Sequence, residues 1–304
     1  MQTMTNTKIA VGALAAGDLA KGKKHELLAD LLAEGSLLLN HAGDGRHVFV
    51  SSDKAFGALD LGSFSKPHGD HLHHYAGGPV FPGFEVGATK PGHVAAGGGK
   101  AMLFDDETGD VTTMRLTGMD AVDHFRMPVH AGIAVLGEVT KVASPDEYGR
   151  IGNQAGSAWS WHVIGDFKSD KKAADDDELE RPEKVSIINA ETGELKLVDL
   201  GTSYTFRSLG MNDDGLAVVL GSDGKLHLID AEHAKVVKTI DVIDAWKESE
   251  EWQGPRPALA VTGDVAYVTD PATKKVHVVD LTGEKKTLTA DLPETPDELV
   301  VTEG

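Results

Sequence analysis

Val278-Val279-Asp280-Leu281-Thr282-Gly283 is the stretch whose reading decides the fold. Two apolar β-formers run into an acid and then into turn chemistry, which marks the end of a short strand and a tight connection onward. The same pattern recurs as Met102-Leu103-Phe104-Asp105 before Asp106-Glu107-Thr108-Gly109, and as Ile187-Ile188-Asn189 before Ala190-Glu191-Thr192-Gly193. Leu228-Ile229-Asp230 and Ala58-Leu59-Asp60-Leu61-Gly62 fit it, and Ala16-Gly17-Asp18-Leu19 fits it loosely.

The acid or amide then stands at 18, 60, 105, 189, 230 and 280, at gaps of 42, 45, 84, 41 and 50. Since 84 is twice 42, one copy is missing or degenerate near Pro145-Asp146. Units of forty-odd residues are the period of four-stranded propeller blades. The expectation is an all-β chain, 1–304 forming a single seven-bladed β-propeller, with six or eight blades as variants. Pairing of the N-terminal strand with a C-terminal one near Glu298–Thr302 would close the ring and satisfy both edges. An open sandwich of unrelated hairpins is the competing reading.

Shorter patterns agree with β-structure. His47–Ser51, Leu216–Leu220 and Val265–Thr269 are β-rich runs, the last two followed by turn residues Ser222-Asp223-Gly224 and Asp270-Pro271. Gly97-Gly98-Gly99 reads as a hairpin turn, and Lys286–Leu292 as an outer strand. Lys21–Ala33 has helical spacing through Leu27, Leu28, Leu31 and Leu32 and is read as a short helix or a loop between blades. Residues 169–183 are a charged insert around Asp175-Asp176-Asp177-Glu178, read as a solvated loop. Asp244–Trp252 carries two of the four tryptophans among acids and is read as a loop packed down by them.

The 304-residue chain carries a formal net charge of −19, which opposes binding to nucleic acid or to an anionic membrane surface and attracts cations. It has no cysteine, so disulfides, thiolate zinc sites and iron–sulfur clusters are excluded. No run approaches the ~18 apolar residues of a membrane span. Ile9–Gly17 faintly resembles a signal core but is short and meets Asp18; it is read as strand and turn of the mature fold, with any export signal already absent.

Histidine is where chemistry concentrates. Four of fourteen histidines stand in His68-Gly69-Asp70-His71-Leu72-His73-His74, within a segment, 64–80, read as a metal-binding loop because Pro67 and Gly69 argue against a helix or central strand. Imidazoles with a carboxylate suit Zn²⁺, and such an affinity falls as pH drops through the ~6.5 at which free imidazole protonates. A solvated polar loop enriched in histidine by chance is the bland alternative. His93, in Lys90-Pro91-Gly92-His93-Val94, and His130, in Pro128-Val129-His130-Ala131-Gly132, each open a candidate first strand, the strand that lines a propeller's channel. They could share a metal there, or simply bind water or backbone. His162, in Trp159-Ser160-Trp161-His162, could be a third ligand. His227 and His277 alternate with apolar residues and read as structural, and His124 beside Asp123 is ambiguous. No esterase elbow, phosphate loop or zinc-protease helix is present.

Together, the histidine-rich segment, Lys90-Pro91-Gly92-His93-Val94, Leu103-Phe104-Asp105-Asp106 and Pro128-Val129-His130-Ala131-Gly132-Ile133-Ala134-Val135 resemble the AztD family of bacterial periplasmic zinc metallochaperones. Pro255-Arg256-Pro257-Ala258-Leu259-Ala260-Val261 and Val276-His277-Val278-Val279-Asp280 resemble that family's last blade. The resemblance covers roughly 45–135 and 210–285. It implies a non-catalytic, periplasmic, monomeric propeller that binds Zn²⁺ and passes it to the solute-binding protein of a zinc ABC importer. It carries metal-binding roles onto His93 and His130, and onto His68, Asp70, His71, His73 and His74. The chain departs from the family's pattern at Val129-His130-Ala131-Gly132, where the family has a His-His-Gly step, and at Ile151-Gly152-Asn153-Gln154-Ala155, where it has Leu-His-Gly-Glu-Ala. Either His162 substitutes there or the histidine-rich segment dominates. A lactonase-like, metal-dependent propeller hydrolase and a metal-free interaction scaffold are the other two readings.

Overall fold

A computed structural model describes residues 6–11, 29–34, 38–41, 46–51, 55–60, 63–76, 85–97, 100–116, 118–126, 133–136, 138–141, 150–151, 161–165, 182–189, 192, 194–212, 214–249, 254–283, 287–296, 299 and 301. Among these there is no helix; every regular element is a strand. The chain divides into two compact units, 1–129 with 300–304, and 130–299.

The first unit holds β1 (Asn6–Val11), β2 (Ala29–Glu34), β3 (Leu38–His41), β4 (His47–Ser51), β5 (Ala55–Asp60), β6 (Ser63–His68), β7 (His71–Ala76), β8 (Glu85–Gly87), β9 (Pro91–Gly97), β10 (Lys100–Asp105), β11 (Asp110–Arg115) and β12 (Asp120–Arg126). The second holds β13 (Ile133–Leu136), β14 (Glu138–Lys141), β15 (Arg150–Ile151), β16 (Trp161–Gly165), β17 (Lys184–Asn189) and β18 (Leu195–Asp199). It continues with β19 (Leu209–Met211), β20 (Leu216–Leu220), β21 (Lys225–Asp230), β22 (Lys235–Asp241), β23 (Leu259–Thr262), β24 (Val265–Asp270), β25 (Lys275–Asp280) and β26 (Leu288–Asp291).

Four sheets are uninterrupted antiparallel meanders in chain order: β9 to β12, β15 to β18, β19 to β22 and β23 to β26. A fifth, β3-β4-β5-β8, has the β6–β7 hairpin inserted before its last strand. Two-stranded sheets form from β1 with β2 and β13 with β14. The meander of four is the blade unit of a propeller. Burial grades across each blade as that unit requires: β19 is buried throughout, whereas β12 and β22 face solvent along almost their whole length. Within the second unit the blades pack face to face. Val185, Ile187 and Tyr204 meet Met211, Ala217 and Ile229 in one core, and Val218, Leu220 and Leu228 meet Leu259, Val261 and Val279 in the next.

The repeated acid acquires a physical role. Asp105 Oδ1 accepts the N–H groups of Glu107 and Thr108, both at 3.0 Å. Asn189 Oδ1 accepts Thr192 N–H at 2.9 Å, Asp230 Oδ1 accepts His233 N–H at 3.0 Å and Asp280 Oδ1 accepts Thr282 N–H at 3.0 Å. Each short side chain closes the turn after its strand, the role that aspartate and asparagine are favoured for. Asp60, Asn189, Asp230 and Asp280 end the third strand of their sheets. Asp105 differs: it ends the second, so this blade is one strand out of phase with the repeat.

Two expectations need correction. Ala29–Glu34, inside the stretch read as a helix or loop, is a strand: Ile9 stands across from Leu31 and Lys8 across from Leu32. A short apolar run is ambiguous between helix and strand until a partner claims it. The histidine-rich segment is a hairpin rather than a loop, with Pro67 across from Leu72. Proline is tolerated there because a two-stranded ribbon leaves outer edges that need no donor. Residues 298, 300 and 302 of the stretch expected to close the ring lie outside the described residues. The degenerate copy near Pro145-Asp146 and residues 169–181 of the insert lie outside the described residues.

Candidate metal centre

The hairpin sets out its imidazoles by strand geometry. His68 pairs directly with His71 across the turn, and His73 lies two residues along β7 from His71. Opposed and i, i+2 positions share one face of a β-ribbon. The two-residue turn is Gly69-Asp70, and Gly69 adopts φ +63°. Positive φ at the first central residue is the position a type II′ turn reserves for glycine, and such turns match the twist of the flanking strands. Nothing lies within 4 Å of where a Gly69 Cβ would sit, so backbone conformation alone selects glycine here.

One ring nitrogen from each of His68, His71 and His73 lies within 4.8 Å of the others. His71 Nε2 and His73 Nε2 are 3.1 Å apart, and the three ring centroids are separated by 4.9 to 5.2 Å. A tetrahedral zinc with nitrogens at ~2.0–2.1 Å would hold them about 3.3 Å apart, so small side-chain rotations bring all three onto one ion. The residues present therefore fit a divalent cation, with a fourth position open to water or a carboxylate.

Asp70 is placed differently from the ligand role read in the sequence. Its Oδ1 lies 3.2 Å from His71 Nδ1, outside the three-nitrogen cluster. A carboxylate only accepts, so Nδ1 carries the proton and Nε2 keeps its lone pair for an ion. That is the outer-shell carboxylate–histidine arrangement common at zinc sites. His68, Asp70, His71 and His73 are all exposed, so a bound ion would exchange with solvent or with a partner. His74 takes the register position across from Ser65, out of step with the other three.

The remaining sequence candidates lie outside this hairpin. His93 is the third residue of β9, the first strand of its blade. His130 lies outside the described residues. His162 is the second residue of β16, the second strand of its blade, across from Ile188.

Other histidines have structural partners. The buried His227 places Nε2 3.2 Å from both carboxylate oxygens of Asp223. His277 Nδ1 lies 3.1 Å from Thr289 Oγ1, while its buried Nε2 has no hydrogen-bond partner among the described residues, and burial pushes the ring's pKa down. His124 Nδ1 lies 3.3 Å from Thr112 Oγ1, on the rim of a groove of about 370 Å³ floored by Phe56, Val86 and Leu103. Asp110 on that rim receives both Nε and Nη2 of Arg126, which hold its carboxyl below the usual range.

Sequence reading singled out neither the Asp70–His71 partnership nor this groove. The adjacency of Asp70 to His71 was the available signal for the first; nothing in the sequence brings 56, 86 and 124 together. Among the described residues no helix is long and apolar enough to cross a membrane.

No family model matches the chain. In sequence it is 29% identical over 124 residues to the zinc chaperone AztD of Citrobacter koseri, a stretch covering 40% of this chain and 30% of that protein's length. In fold it is similar to the crystal structure of Citrobacter koseri AztD, with a TM-score of 0.64 and 17% identity over 90% of this chain and 91% of that one. The structure of apo AztD from Citrobacter koseri gives the same TM-score, at 16% identity over 90% of each chain. The resemblance read from the motifs is thus found again in a curated relative and in solved structures: this chain is an all-β protein of propeller arrangement, similar to the zinc chaperone AztD.

Proposed function

We propose that the chain is a periplasmic zinc metallochaperone. It binds Zn²⁺ through histidines and delivers it to the solute-binding protein of a zinc ABC importer, working as a monomer and without catalysis. The observation that carries this reading is the hairpin triad, three imidazole nitrogens within 4.8 Å on an exposed face, in a chain that resembles AztD. His68, His71 and His73 capture the ion while Asp70 holds His71 in the binding tautomer. His74 adds a further imidazole on the same strand.

His93, His130 and His162 are further candidate zinc ligands. Delivery needs labile ligands, and a solvent-exposed site with an open coordination position releases its ion more readily than a closed four-ligand cage. The charge of −19 raises the local concentration of cations around the protein.

The test is transfer. Zinc-loaded protein is mixed with the metal-free solute-binding protein of a zinc ABC importer, in the presence of a chelator that traps free ion, and the two are separated for metal analysis. Zinc arriving on the acceptor despite the chelator supports the proposal. Zinc lost wholly to the chelator, with none on the acceptor, overturns it.

A further inference from the structure

The register of β9 against β10 slips at His93, one of the proposed zinc ligands. Val94 pairs with Leu103 and Pro91 with Asp105, so Gly92 and His93 together oppose the single residue Phe104. This is a β-bulge, a device that re-aims side chains and recurs beside functional sites.

Three contacts hold it in place. Ser51 Oγ donates to the carbonyl of Gly92 at 2.8 Å, in a buried position. Asp106 N–H donates to the carbonyl of Lys90 at 2.9 Å, and Thr89 N–H donates to Asp105 Oδ2 at 2.7 Å. The Asp106 carboxylate itself rests against Gly92. A Cβ built there would lie 2.2 Å from Oδ1, 2.3 Å from Cγ and 2.5 Å from Oδ2, all far inside van der Waals contact. Gly92 and Asp106 Oδ1 are both buried. Glycine at 92 is thus demanded by the side chain pressed on it, and its φ is not in the left-handed region.

We infer that Asp106 is a positioning residue for His93: by packing on Gly92 it fixes the bulge at which His93 stands in β9. The inference rests on the proposed zinc role of His93. It takes Asp106 as the strut of that site, and it explains why glycine must precede the histidine in Pro91-Gly92-His93.

The experiment uses the full chain with H68A/H71A/H73A as background, so that zinc bound by the hairpin does not mask zinc bound through His93. Zinc affinity is measured by chelator competition, and the melting temperature of the metal-free protein by calorimetry. D106A and G92A are each expected to weaken zinc binding about tenfold, the lower end of what removal of an outer-shell partner costs. D106N, which keeps the shape, is expected to stay within about threefold of the background. The combined variant G92A/D106A should be no weaker than D106A alone, because the added methyl then meets no carboxylate. Unchanged affinity in D106A, or losses that simply add in the combined variant, overturn the inference while leaving His93 in its role. Unchanged affinity in H93A removes zinc from His93, and the inference falls with it. If G92A does not fold, the contrast between D106A and D106N decides alone: equal affinities overturn the proposal.

Discussion

Oδ1 of Asp70 lies 3.2 Å from Nδ1 of His71, at the tip of a hairpin whose turn residue is Asp70 itself. The carboxylate accepts from Nδ1, which favours the tautomer with its proton there, and the ring's second nitrogen lies 3.1 Å from His73 Nε2. Without Asp70, His71 is free to carry its proton on either nitrogen. D70A should weaken zinc binding at the hairpin by about tenfold, within the 10–100-fold range for lost outer-shell partners. Competition titration against a chelator measures it. An affinity equal to wild type would show that Asp70 does not orient His71.

Gly69 controls the same site through the backbone. A non-glycine residue at φ +63° costs about 1–2 kcal/mol, and a β-branched one more. G69V is expected to splay the hairpin and lower zinc affinity. The hairpin is an insert between β5 and β8, so the melting temperature should hardly move. A large fall in melting temperature with zinc binding intact would reverse the assignment.

Stability in mild acid should report His277. Its folded pKa is depressed, by burial first of all, below the 6.5 of a free imidazole, with the Asp270 charge opposing that shift and Lys275 adding to it. The neutral ring is thus favoured on folding. Its contribution is complete above pH 6.5 and is lost as pH falls through the folded value, at a slope of at most about 1.4 kcal/mol per pH unit. Urea unfolding between pH 7.5 and 5 should show H277Q with a flatter profile than wild type. Identical slopes would contradict this.

The buried Arg256 anchors the tryptophan loop. Its Nε meets Glu248 Oε1 at 3.1 Å, Nη1 donates to the Gly254 carbonyl at 2.9 Å and Nη2 to that of Ser249 at 3.2 Å. In the same loop, Trp246 Nε1 donates to the Gly221 carbonyl at 3.0 Å. Removing one partner of a buried pair strands the other charge, so E248A should cost about 3–5 kcal/mol. Chemical denaturation reads this directly, and a loss under 1 kcal/mol would mean that Arg256 finds other acceptors.

How much of this the sequence showed follows from what kind of signal each feature leaves. β-Branched runs such as His47–Ser51 and Leu216–Leu220 became β4 and β20 with the expected ends, because burial on both sheet faces selects apolar residues at successive positions. The repeated acid was legible because turn closure demands a particular side chain. Its phase was not: Asp105 carries the same turn chemistry as Asp280 yet ends a second strand, and which strands join one sheet depends on distant partners. Leu31 and Leu32 suited a helix as well as a strand until β1 took them. At the site, clustering marked His68, His71 and His73, whereas the ribbon that places them on one face needed the pairing across Gly69-Asp70. The slip opposite Phe104 and the carboxylate resting on Gly92 had no local signature, being products of register.

The central claim is that the hairpin imidazoles act together on one ion, and counting bound zinc with and without them tests it most directly. Equilibrium dialysis of wild type and H68A/H71A/H73A at micromolar free Zn²⁺, followed by elemental analysis, should show one equivalent fewer in the variant. If both proteins hold the same number of zinc ions with the same affinity, the triad is not a metal site and the account fails.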